Sequence, residues 1–85
     1  MLILIQLIRH FKRLGQEHVN ELIICLDELS VWDREEMGCP MLYFATLLDE
    51  NYGIELTESQ CTMIKRSIDK GTWESALKLE EVSFK

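Results

Sequence analysis

A compact all-α bundle of four to five short helices around a central helix at about residues 40–52 is the fold this sequence predicts. Three observations carry the prediction. Apolar residues recur at three- and four-residue spacings along most of the chain, the period of one face of a helix. Residues that start and stop helices, among them Pro40, Gly53, Thr57 and Gly71, stand at the ends of those periodic runs. Connections of two to five residues separate the runs, as antiparallel helical neighbours prefer. The 85 residues make one helical domain, 1–85, which buries roughly 60 to 65% of the surface its unfolded chain exposes. With 47% hydrophobic and 28% charged residues, the composition lies away from that of disordered chains.

The first helix is expected over about Leu2 to Leu14, with Leu4, Leu7, Ile8 and Phe11 on one face and Gly15 as its stop. Its cations Arg9, Lys12 and Arg13 lie toward the C-terminal end, where they complement the helix dipole. A strand over residues 2–8 is the competing reading, because Ile-Leu-Ile suits β structure and a short apolar run does not resolve the two. A basic amphipathic helix can also rest on an anionic membrane, but covering the central helix is the ordinary use of such a face. The second helix, about Glu17 to Leu29, turns Val19, Leu22, Ile23, Leu26 and Leu29 inward. Its opposite stripe is Glu17, Glu21, Ile24 and Glu28, so a β-branched apolar residue stands among three carboxylates on the wet side. Either a neighbouring element covers Ile24, or it is an interaction anchor with a charged surround.

Ser30 to Gly38 suggests a short helical turn opened by Ser30, with Asp33 placed to back-bond the cap and Trp32 and Met37 fastening it to the core. Pro40 suits the first position of the central helix and Gly53 the left-handed residue just past its end, where Ile54 supplies an apolar contact. On that helix Met41, Phe44, Ala45, Leu48 and Tyr52 share a face, and Leu42, Tyr43 and Leu47 extend the apolar surface around its flanks. Thr57 and Gln60 have the spacing of a capping box. They predict a helix from about Glu58 to Lys70 that turns Cys61, Ile64 and Ile68 inward and ends at Gly71. Thr72 is expected to cap a last helix carrying Trp73, Ala76 and Leu77, with the tail Val82 to Lys85 frayed.

Net charge is −6, and its distribution is uneven: +3 over residues 1–13, −10 over 14–63 and +1 over 64–85, with Arg34 the one cation of the middle stretch. Such a field repels phosphate backbones and attracts basic proteins, which disfavours direct nucleic-acid binding. Three cysteines, Cys25, Cys39 and Cys61, have neither CxxC nor zinc spacing and read as reduced thiols in a cytoplasmic protein. The apolar start precedes its cations, the reverse of a secretory signal, and falls short of the roughly 20 apolar residues needed to cross a bilayer. Neither a membrane nor a cofactor is therefore expected.

A catalytic set is not evident. Cys39, before Pro40 at a helix start, has a placement that lowers a thiol pKa, but neither His10 nor His18 lies near it in sequence. His18 with Glu17 and Glu21 does not make a closed metal site on one exposed helix face. Asp49, Asn51, Gly53 and Glu55 match the opening of a calcium loop only in part, since the glycine falls at the fifth position and Gln60 stands where the closing glutamate belongs.

Leu47 to Leu56, Leu-Leu-Asp-Glu-Asn-Tyr-Gly-Ile-Glu-Leu, resembles the second-helix ending of acyl and peptidyl carrier proteins, a family of small acidic helical domains. In that family a serine at the helix start takes a phosphopantetheine arm. The corresponding stretch here, Gly38-Cys39-Pro40-Met41-Leu42, has no serine. An acidic carrier or adaptor with a functional Cys39 is accordingly the alternative reading. The preferred expectation is a non-enzymatic interaction module that blocks the basic surface of a partner such as a nuclease or nucleic-acid-binding complex. By class-level analogy it is like immunity proteins, antitoxins or phage anti-defence and anti-CRISPR proteins. The contact residues expected are Glu17, Glu21, Ile24, Glu28, Asp33, Glu35, Glu36 and Glu50, and a homodimer is left open.

Overall fold

Leu4, Leu7, Ile8 and Phe11 fall on one side of a helical wheel, and in the computed structural model all four are buried, at 3% exposure or less. The structure describes residues 2–31 and 40–85. Among these it has five helices: α1 (Leu2–Leu14), α2 (Gln16–Val31), α3 (Pro40–Tyr52), α4 (Glu58–Lys70) and α5 (Thr72–Leu79). The β-friendly start of the chain is therefore helical. Its apolar residues keep helical spacing, and Ile3, Leu4, Ile5, Leu7 and Ile8 lie in the core or pack against it.

One core joins all five helices. Val19, Leu22 and Leu26 of α2 meet the four residues of α1, with Phe44 and Leu48 of α3, Ile64 and Ile68 of α4, and Trp73 and Ala76 of α5 closing around them. Full burial of such a side chain contributes roughly 1.5 to 3 kcal/mol. The middle of the bundle is nevertheless α1 rather than the helix at 40–52. α1 packs against α2, α4 and α5, and its Phe11 ring lies 4.5 Å from that of Tyr52 on α3. α3 is the more apolar helix in composition, but its apolar residues point all round it. Leu42 and Tyr43 stay 65% and 60% exposed, so they extend the surface and not the core.

Two corners are tighter than expected. Gly15 alone links α1 to α2, and Gly71 alone links α4 to α5. Gly71, at φ 73°, ends α4 and begins α5 at once, a left-handed conformation that glycine adopts without steric cost. This arrangement corrects the role expected of Thr72. It is the first helical residue of α5, not its cap, and its hydroxyl turns back to donate to the Ser67 carbonyl at 3.4 Å. At the start of α4 the capping box forms as its spacing predicts. The Gln60 N–H donates to Thr57 Oγ1 at 3.1 Å, and the Thr57 N–H donates to Gln60 Oε1 at 2.9 Å. Gly53, at φ 65°, ends α3, and Ile54 turns back to the core.

The segment after α5 is bound down rather than frayed. The Val82 N–H donates to the Leu77 carbonyl and the Glu81 N–H to that of Lys78, closing α5 with Glu81 in the left-handed region at φ 56°. Val82 then packs on the core, and Gln16 and Asn20 of α2 hold the backbone beyond it. Among the described residues every buried side-chain polar atom has a hydrogen-bond partner, and no helix is long and apolar enough to cross a membrane. The turn expected over Ser30 to Gly38, with Trp32 and Met37, lies outside the described residues from position 32 to 38.

Candidate protein-interaction surface

Helix α2 faces the core with Val19, Leu22 and Leu26, so the stripe about half a turn away faces out. Along it Glu17 and Glu28 are exposed, and Ile24 keeps 45% of its surface in water. Glu21 is different. It is half-buried and reaches toward α3, where its Oε2 accepts a hydrogen bond from the Tyr52 hydroxyl at 2.8 Å. The same hydroxyl lies 3.1 Å from His18 Nδ1. Because the phenol's one proton goes to Glu21, His18 must donate from Nδ1, and its Nε2 is the nitrogen left as acceptor in the neutral ring.

This His18–Tyr52–Glu21 chain ties the first half of α2 to the end of α3. The His18 and Tyr52 rings meet edge to face with centroids 5.7 Å apart. Burial, followed by the hydrogen bond to Glu21 and that residue's charge, pushes the Tyr52 phenol from its ordinary 10.0 up to about 12. Burial also raises the Cys25 thiol from 9.0 to about 11, and the charges of Glu21 and Glu28 add to the effect. Both groups are thus neutral at physiological pH, and a thiol raised so far is a poor nucleophile.

The charges that α2 and α3 themselves carry are of one sign. Helices α2 and α3 together carry Glu17, Glu21, Asp27, Glu28, Asp49 and Glu50, with no lysine or arginine. Glu50 is exposed on α3. Asp33, Glu35 and Glu36, and Cys39 of the alternative reading, lie outside the described residues. An open hollow of about 300 Å³ beside α3 is lined by Ala45, Thr46, Asp49, Glu55 and Leu56. It sets two carboxylates and the Thr46 hydroxyl together, with no cationic group in its lining. Among the described residues no group of three or more histidine, cysteine or acidic side chains is placed to hold a metal ion.

Sequence reasoning located the stripe but not the bond that ties one of its members down. The wheel correctly places Ile24 opposite the core, since that is a property of one helix. Tyr52 carries only the signal of an apolar-face residue, and its pairing with Glu21 spans two helices. No family model, characterised protein or solved structure matches this chain.

Proposed function

We propose that this chain is a small acidic helical protein-interaction module that blocks a basic, nucleic-acid-binding surface of a partner protein stoichiometrically. Immunity proteins, antitoxins and phage anti-defence proteins, anti-CRISPR proteins included, work in this way by class-level analogy. The observation that carries the reading is the half-exposed Ile24, which shares the outer stripe of α2 with Glu17, Glu21 and Glu28, on a helix pair without a lysine or arginine. Interfaces concentrate energy in a few apolar anchors that lose their water, with polar groups around them setting orientation and encounter rate. A basic partner meets that layout with cations placed about an apolar recess.

Affinity capture from the native host, followed by titration of the purified partner, tests the proposal. The captured protein should carry a basic surface, bind at one-to-one stoichiometry and lose its own nucleic-acid binding in the complex. A partner that binds Ile24→Asp as well as the unaltered chain would remove the α2 stripe from the interface.

A further inference from the structure

The outer edge of α1 and α2 holds the stretch of chain that follows α5, largely by its main-chain atoms. Asn20 Nδ2 donates to the Lys85 carbonyl at 2.7 Å, and Asn20 Oδ1 accepts the Lys85 N–H at 3.0 Å. One side-chain amide thereby supplies the donor and acceptor that a neighbouring β-strand would offer to a single residue. One turn earlier, Gln16 Nε2 donates to Asn20 Oδ1 at 2.9 Å and to the Ser83 carbonyl at 2.8 Å. Gln16 therefore both fixes the orientation of the Asn20 amide and holds the segment at a second point. Further back, Arg9 Nε donates to the Glu80 carboxylate at 2.8 Å and Lys12 Nζ to the Glu80 carbonyl at 2.9 Å.

What these contacts select is narrow. The bonds at positions 83 and 85 go to backbone, and the Phe84 ring stays 56% exposed. Val82 alone of the last four residues is partly buried, packed on the core. We propose that the α1–α2 edge is a binding groove for a peptide that has a branched apolar residue three positions before the residue clamped by Asn20. The chain's own residues 80–85 fill this groove in cis and keep it closed. Asn20 stands one turn before Ile24 on α2, so this surface adjoins the Ile24 stripe, but the inference does not depend on the function proposed for that stripe.

The experiment uses the full chain and a synthetic peptide, Glu-Glu-Val-Ser-Phe-Lys, copied from residues 80–85. Val82→Asp withdraws the apolar residue from the groove and leaves Gln16 and Asn20 in place. Titration followed by NMR should show saturable shifts of the Gln16 and Asn20 side-chain amides in V82D. Binding to the unaltered chain should be at least tenfold weaker, because the tethered segment competes at high effective concentration. A peptide carrying Asp in place of its valine should not bind V82D. Saturation of both proteins at equal peptide concentration, or no saturation of V82D at millimolar peptide, would overturn the proposal. Should V82D fail to fold, Asn20→Ala in the full chain decides. Amides 83–85 must then exchange as fast as in the free peptide while helix content is retained, and continued protection of those amides would equally overturn it.

Discussion

Tyr52, the last residue of α3, gives its hydroxyl proton to Glu21 of α2 at 2.8 Å while accepting a hydrogen bond from His18 at 3.1 Å. The bond joins two residues 31 positions apart and fixes one carboxylate of the exposed stripe in a single orientation. Tyr52→Phe removes the donor from Glu21 and the acceptor from His18 together. Stability should fall by roughly 1 to 2 kcal/mol, the range of a hydrogen bond to a charged group that water can partly replace. Urea unfolding followed by circular dichroism measures it, and an unchanged midpoint would mean that solvent fully substitutes for the bond.

The raised pKa values of Tyr52 and Cys25 predict an alkaline loss of stability. Both groups hold their protons more tightly in the folded chain than in the unfolded one, where they titrate near 10.0 and 9.0. Their contribution is therefore whole below pH 9 and is lost as pH rises through about 11 for Cys25 and about 12 for Tyr52. Melting temperatures of the unaltered chain and of a Cys25→Ala, Tyr52→Phe double variant should converge between about pH 8 and about pH 11. Parallel curves would contradict the coupling.

Burial separates two leucines of α3, Leu42 and Leu48. Leu48 is fully buried and Leu42 is 65% exposed. Leu48→Ala should cost about 2 to 5 kcal/mol, through lost burial and the cavity left behind, and Leu42→Ala should stay within about 0.5 kcal/mol of the unaltered chain. Thermal melts of the two variants give the comparison directly. Equal effects would displace the core face assigned to this helix.

Two left-handed residues should respond with opposite signs. A Cβ added at Gly71 meets no heavy atom within 4 Å, so Gly71→Ala carries only the backbone penalty, about 1 to 2 kcal/mol. Glu81, at φ 56°, already bears that penalty, and Glu81→Gly should recover up to about 1 kcal/mol. Differential scanning calorimetry on both variants tests the pair.

Ile24→Asp should weaken partner binding by at least about 1 to 2 kcal/mol and leave the melting temperature nearly unchanged. Affinity for the partner should also fall as salt rises, since the attraction is screened over about 8 Å at physiological ionic strength. Calorimetric titration at several salt concentrations reads both effects. A salt-independent constant would instead point to an apolar interface.

The parts of this fold legible in the sequence are those encoded within a single helix or its ends. α4 appears at its expected bounds because Thr57, Gln60 and Gly71 act on their immediate neighbours. The exposure of Ile24 follows from one helical wheel. The errors arise where distant parts meet. The apolar count of residues 40–52 suggested a central helix, but a count does not say which faces find partners, and α1 finds more. Thr72 has the chemistry of a cap, yet a one-residue corner leaves that position to Gly71. The hold on residues 83–85 depends on Gln16 and Asn20, more than sixty positions away, and no local pattern announces it.

The absence of cations from α2 and α3 has a practical side. Every lysine, at 12, 65, 70, 78 and 85, belongs to α1, α4, α5 or the segment that follows α5. Amine-reactive coupling to a sensor surface or a dye therefore fastens the molecule by those elements and leaves the carboxylate-rich pair chemically untouched. For the same reason trypsin has no cleavage site between Arg13 and Arg34 or between Arg34 and Lys65. A partner seated on α2 and α3 meets no lysine on either helix, and carboxylate-directed reagents are the ones that will report the contact directly.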